Sequence, residues 1–225
     1  MAEHPYSCIL WDVDGTIADA SRGILPRLAE VLASFGRTVS DTAELAHWIG
    51  PPLRESFREY AGMDETGAEE AVRRYRELAH RDGYAVGVEL YPGIPELLRR
   101  VHAAGVPQST ASSKPEVQVI AILEHFGLLG CFTSVAGALP EPGGLGEGKA
   151  AVVARALERL AAAGADVDRP VLIGDRHHDV DGAAEHGVPV IFVDWGFGVP
   201  EEARGAAHRV ASVDELRALI LGRSA

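Results

Sequence analysis

The chain has 225 residues, with 47% hydrophobic and 24% charged side chains, which is the composition of one ordinary soluble globular unit rather than a fibrous or disordered one. Its net charge is −12, with 33 acidic against 21 basic residues and no Lys/Arg-rich run, so nucleic acid is not expected as a partner. No apolar stretch approaches a membrane span and the start of the chain lacks a basic-then-apolar leader, so a cytoplasmic protein with no membrane partner is expected.

The first strong signal is Ser7-Cys8-Ile9-Leu10-Trp11, a short apolar run that ends in Asp12-Val13-Asp14-Gly15-Thr16. It reads as a buried strand that delivers two carboxylates to a turn. Asp12 and Asp14 are two apart, so on an extended chain their side chains point the same way. Such a pair repels unless a cation or a shared proton intervenes. One can attack as a nucleophile while the other carries a proton for the leaving group. Gly15 lets the chain turn, and amides exposed there, with Thr16, could hold an anion. Asp-Gly-Thr is also ordinary turn chemistry, so this motif alone does not decide.

From Ser21 to about Gly83 the pattern is helical. Leu25, Leu28, Leu32 and Phe35 share a face before Gly36; Leu53 and Phe57 precede Gly62; Val72, Tyr75 and Ala79 precede Gly83. This stretch follows the first strand directly and reads as an inserted helical subdomain that returns through Gly87–Gly93. Residues 19–89 are therefore expected to form a helical cap, and residues 1–18 and 90–225 the core. In the break His47-Trp48-Ile49-Gly50-Pro51-Pro52-Leu53-Arg54, Trp48 could stack on a flat group and Arg54 could pair with an anion; core packing and solvation are the competing roles.

After Pro95 the chain alternates helix and strand. Helices are expected over 96–104, 115–126, 149–163, 177–186 and 213–221, and strands over 106–111, 132–136, 170–174 and 189–193. Such alternation predicts a Rossmann-like α/β core, a parallel sheet with helices on both faces, whose ligands bind beyond the carboxyl ends of the strands. The strand at 106–111 is unusually polar (Gln108-Ser109-Thr110).

Three further clusters fall at expected strand ends or helix starts. Ser112-Ser113-Lys114-Pro115 offers hydroxyls and free amides, a phosphate site or a plain helix cap. Ile173-Gly174-Asp175 ends an apolar strand, and Asp179 lies one helical turn further on the same face, hard oxygen donors suited to Mg²⁺. Lys149 opens a helix, where a cation opposes the helix dipole and wants an anionic partner. Of the 21 basic residues only Lys114 and Lys149 are lysines, and both fall in candidate phosphate loops. Gly143 to Lys149 also has the spacing of a nucleotide-binding P-loop, but Ala150 stands where Ser or Thr should hold Mg²⁺, and no strand precedes it. Cys8 and Cys131 sit in apolar runs and read as buried thiols.

The ordered set Asp12-Val13-Asp14-Gly15-Thr16, Ser112-Ser113-Lys114-Pro115, Lys149 and Gly174-Asp175-Arg176-His177-His178-Asp179 resembles the haloacid dehalogenase superfamily in its phosphatase branch. Ile49-Gly50-Pro51-Pro52-Leu53-Arg54, Tyr91-Pro92-Gly93-Ile94 and Val193-Asp194-Trp195-Gly196-Phe197-Gly198 are similar to its phosphoglycolate phosphatase-like subgroup. The resemblance implies Asp12 as nucleophile and Asp14 as general acid/base. It implies Mg²⁺ on the Asp12 carboxylate, the Asp14 carbonyl and Asp175, supported by Asp179, and phosphoryl oxygens on Ser112 and Lys149. The expected activity is hydrolysis of a small phosphorylated metabolite such as phosphoglycolate or a nucleoside monophosphate, by a monomer or homodimer. A sugar-phosphate mutase on the same scaffold is the alternative.

Overall fold

The computed structural model describes residues 4–139 and 148–222. In chain order its elements are β1 (Cys8–Trp11), β2 (Ala18–Asp19), α1 (Ser21–Ser34), α2 (Leu53–Glu59), α3 (Glu65–Asp82), β3 (Glu89–Leu90), α4 (Ile94–Ala103), β4 (Gln108–Thr110), β5 (Ser112–Pro115), α5 (Glu116–His125), β6 (Gly137–Ala138), α6 (Lys149–Ala162), β7 (Pro170–Gly174), α7 (His177–Ala184), β8 (Val190–Val193), β9 (His208–Val210) and α8 (Val213–Leu221). The fold is the expected α/β class. Residues 143–147 of the glycine-rich run lie outside the described residues. Among the described residues no helix is long and apolar enough to cross a membrane.

Five strands pair in the order β4-β1-β7-β8-β9, every pair parallel. Alternation of side chains along the strands splits the core in two. Ile9, Trp11, Val171 and Ile173 face one layer with α4, α5 and α8, while Cys8, Leu10, Leu172 and Phe192 face the other with α6 and α7. All four β1 residues are fully buried, as a strand covered on both faces must be. Each such side chain contributes about 1.5–3 kcal/mol over an exposed one. Because β1 lies between β4 and β7, the residues after these three strands emerge side by side.

The polar strand β4 is fully buried yet saturated with partners. Trp11 Nε1 donates to Gln108 Oε1 (3.0 Å), and Gln108 Nε2 donates to the carbonyls of Leu98 and Cys131 (3.1 and 3.0 Å). Thr110 Oγ1 donates to Ala136 O and accepts from Ala136 N, both at 2.9 Å. This explains one departure from the expected strands. Residues 132–136 dock on β4 through its side chains and a single bridge, Ser109 to Ser134, instead of extending the sheet; regular pairing resumes only as β6 against β5. The edge strand β9, short and half exposed, carried no apolar pattern to announce it.

Between β2 and β3 the chain forms α1, α2 and α3, with a 3₁₀ segment at Thr42–Trp48 where the expected continuous helical run breaks. The two ends of this insert pair antiparallel, Ala18 with Leu90 and Asp19 with Glu89. Gly87, at φ +73°, lets the returning chain cross the first turn of α1, where a side chain would strike the backbone of Arg22 and Gly23. Buried Arg27 ties α1 to the end of α3, donating from Nε to Asp82 (3.0 Å) and from Nη2 to Gly83 O (3.1 Å).

Candidate active site

The ends of β1, β4 and β7 bring four carboxylates and two lysines together, all shielded from solvent. Asp12 continues β1, its N–H held by Ile173 O at 2.9 Å. Lys149 Nζ reaches it from the first turn of α6, at 2.6 Å from Asp12 Oδ1, 2.6 Å from Asp179 Oδ1 and 2.7 Å from Ala111 O. The anionic partners that a lysine at a helix start requires are thus the site's own aspartates. The second lysine serves the second acid: Lys114 Nζ lies 2.9 Å from Asp14 Oδ2.

Asp175 follows β7 and is fully buried. Its Oδ1 accepts from Thr16 Oγ1 (3.2 Å) and its Oδ2 from Phe197 N (2.8 Å). Gly15, at φ +92°, passes so close that any side chain there would run into the Asp175 carboxylate. The Gly15 N–H donates to Ala18 O (2.8 Å), so Gly15 and Thr16, expected at the phosphate, spend these donors shaping the carboxylate pocket. Asp179 turns its Oδ2 back to the amides of Asp175 and Arg176 (3.1 and 3.0 Å). Ser112 is buried, with its hydroxyl accepting from Lys114 N at 3.3 Å; the Ser113 hydroxyl and Asp14 Oδ1 are buried with no hydrogen-bond partner among the described residues.

Burial dominates the electrostatics. It pushes Asp12 up to about 6; Lys149 opposes the shift, while Asp179 and Asp14 add to it. Asp175 is raised well above the carboxylate range by burial and by the charges of Asp12 and Asp179. Burial works against the ammonium forms of Lys149 and Lys114, yet their carboxylate partners win and hold both above the ordinary lysine value. Oxygens of Asp12, Asp175 and Asp179 lie within 4.8 Å of one another. Three buried carboxylates this close are a costly arrangement alone and a good donor set for a hard divalent cation.

Over this floor, walled by the insert, opens a cleft of about 400 Å³. Trp48 and Arg54 both line it. Trp48 is 4% exposed and packs edge-on against Phe57, with ring centroids 5.3 Å apart; Arg54 forms an ion pair with Glu65. Several contributors were not singled out from sequence. Lys114 was placed in a candidate phosphate loop, but its pairing with Asp14 was not foreseen. The Phe197 amide comes from a glycine-rich loop pressed onto Asp175. Arg176, 6% exposed, links three parts, donating to Glu202 Oε2 (2.8 Å) and, across to the insert, to Ile49 O.

A parallel α/β sheet that gathers aspartates and lysines at adjacent strand ends, beneath a helical insert, defines a class of hydrolase. Residues 9–193 match the haloacid dehalogenase-like hydrolase family, and the chain belongs to it. It is similar to a 5′-nucleotidase of Pseudomonas aeruginosa, 36% identical over 217 residues and covering 96% of each chain. It is also similar to the tyrosine-protein kinase PtkA of Mycobacterium tuberculosis, 37% identical over 213 residues, 93% of this chain and 70% of that one. Among solved structures, a predicted phosphatase from Clostridium acetobutylicum superposes with a TM-score of 0.86 at 36% identity, covering 94% of this chain and 96% of that one.

Proposed function

We propose that this chain is a Mg²⁺-dependent phosphatase that hydrolyses a small phosphorylated metabolite through a phosphoryl group carried on Asp12. The observation that carries the reading is the division of labour at the end of β1. Asp12 is held by Lys149 against Asp175 and Asp179, while Asp14, two residues on, is held by Lys114 at the cleft. One carboxylate is set among charge-compensating groups and the other faces the space where a leaving group would lie.

In this reading Asp14 takes up the proton that a phosphomonoester monoanion brings, an oxygen of Asp12 attacks phosphorus, and as the bond to the leaving oxygen breaks Asp14 gives that oxygen the proton. Asp14 then takes a proton from water, which attacks the aspartyl-phosphate, releases inorganic phosphate and restores the Asp12 carboxylate. Lys149 and Ser112 hold the phosphoryl oxygens, with Ser113, Gly15 and Thr16 bordering them. Asp12, Asp175 and Asp179, with the Asp14 carbonyl, would hold Mg²⁺, which when bound offsets charge between carboxylates and phosphate. Residues 19–89 act as a cap over a core of residues 1–18 and 90–225, with Trp48 and Arg54 on the cap wall of the cleft.

Transfer to an acceptor other than water is the competing outcome, since one relative is named a tyrosine kinase. End-to-end alignment with the nucleotidase favours hydrolysis. The test is phosphate release from a panel of nucleoside monophosphates, phosphoglycolate and sugar phosphates with Mg²⁺. Stoichiometric release is expected; consumption of substrate with the phosphoryl group recovered on another molecule would overturn hydrolysis.

A further inference from the structure

Five charged side chains line the cleft: Asp14, Lys114, Arg54, Glu116 and Arg76. Four are already matched within the protein. Lys114 pairs with Asp14 at 2.9 Å, Arg54 with Glu65, and Glu116 with Arg159 at 2.6 Å. Arg76 has no ion pair among the described residues, so it is the cleft's one uncompensated charge there. It also borders the shallow groove along the outer face of α3, with Arg73, Glu77 and His80, which places it where the cleft opens to solvent. Tyr75, its neighbour on α3, is buried and lies within electrostatic reach of Lys114 and Asp14. One helix therefore lines the cleft both at Tyr75 and at Arg76, the second of which also borders the outer groove. Much of the wall between is apolar, with Leu53, Val72 and Tyr84.

We infer that Arg76 reads an anionic group at the far end of the leaving group. Resting on the phosphatase reading, this makes the substrate a phosphomonoester with an apolar body that spans the cleft and a terminal anion at its mouth. A cleft of about 400 Å³ falls in the range that encloses drug-sized ligands, far more than a two-carbon acid fills. A planar guanidinium suits a carboxylate or phosphate bidentately. Arg54, the cleft arginine that the sequence pointed to, has its charge taken up by Glu65.

The test compares kcat/KM for two aryl phosphates of equal length, one ending in a propionate and one in its neutral carboxamide. The wild-type protein is expected to prefer the propionate by about three- to tenfold, a preference that shrinks as salt is added because Arg76 is exposed. Arg76→Ala removes the preference and Arg76→Glu inverts it. Arg73→Ala, on the same helix but paired with Glu70 and Glu77, keeps it. Absence of a preference in the wild type, or its survival in Arg76→Ala and Arg76→Glu, overturns the assignment and leaves the phosphatase reading standing. Failure of the wild type to hydrolyse either ester with Mg²⁺ overturns both.

Discussion

Lys114 Nζ lies 2.9 Å from Asp14 Oδ2, with the two side chains only 8% and 12% exposed. A charge pair so nearly sealed from water depends on both members. Removing one leaves the other desolvated without compensation, a loss on the order of 3–5 kcal/mol. Lys114→Met is therefore expected to lower stability by roughly that amount in urea unfolding, and Lys114→Met/Asp14→Asn to lose clearly less than the single change. Equal losses would mean that an Asp14 charge left without compensation is not what the single change costs.

The two β1 carboxylates should fail in different ways. Asp12→Asn keeps the fold and cuts turnover on the order of 10³-fold or more, because an amide cannot accept the phosphoryl group. Asp14→Asn slows turnover by about 10²–10⁴-fold while still binding inorganic phosphate. Steady-state kinetics with a common phosphomonoester, alongside phosphate titration by calorimetry, separates them. Near-normal rates in Asp12→Asn would remove the nucleophile assignment.

The cluster of Asp12, Asp175 and Asp179 predicts that metal stabilises as well as activates. Added Mg²⁺ should raise the melting temperature at neutral pH in proportion to the logarithm of its concentration above Kd, and EDTA should reverse both the shift and the activity. Asp175→Asn, which removes the charge repulsion between Asp175 and Asp12, should melt no lower than wild type without metal and should lose most of the Mg²⁺ shift. A full shift in that variant would move the metal elsewhere.

The sheet was legible because its central strands are apolar runs that stop at Asp or Gly; the expected strand at 170–174 and helix at 213–221 coincide with β7 and α8. The segment 132–136 misled because its apolar letters are spent on docking, while it meets β4 partly through the Gln108 carbonyl and partly through the buried side chains of Gln108, Ser109 and Thr110, which periodicity cannot foresee. In the site, Asp12, Asp14, Lys149, Asp175 and Asp179 could be named because each sits at a strand end or in the helix that follows, and the fold itself brings those places together. Lys114 needed its partner seen, although its rarity in an arginine-rich chain was a usable hint. The Arg54–Glu65 pair joins separate helices of the insert and leaves no mark in local sequence.

Glu202 gives a pH signature outside the carboxylate cluster. Burial works against its charge, but hydrogen bonds from the Arg176 side chain and from the backbone and ring of His177 outweigh it and hold Glu202 down to about 2. A depressed acid stabilises the fold fully above its unfolded value, here 4.5, and loses that contribution as pH falls towards 2. Glu202→Gln should cost on the order of 1 kcal/mol at neutral pH, limited by solvent around a partly covered group. The gap to wild type should narrow below pH 4.5. A gap that stays constant from neutral pH down to pH 3.5 (about one pH unit into the window) would show the carboxylate charge to be irrelevant.

Gly50 and Arg176 provide the last expectation, which concerns the docking of the insert on the core. Gly50 has φ +109°, and a Cβ there would meet Arg176 Cγ at 2.9 Å and Nη1 at 3.0 Å. The same guanidinium donates to Ile49 O and, through Nε, to Glu202, so the residue after Asp175 is fastened to the loop that walls the cleft. Gly50→Ala should cost about 1–3 kcal/mol in backbone strain and also push Arg176 off its partners. Gly36→Ala supplies the control, since Gly36 also has positive φ (+74°) but open space around it. Gly36→Ala should show the backbone strain alone and Gly50→Ala a larger loss, measured by urea unfolding. Only Gly50→Ala should also lower kcat and raise KM together, on large and minimal phosphomonoesters alike, as expected when closure of the insert rather than one substrate contact is impaired. Matching kinetics in the two variants would mean that the Arg176 bridge serves the fold and not the closing of the cleft.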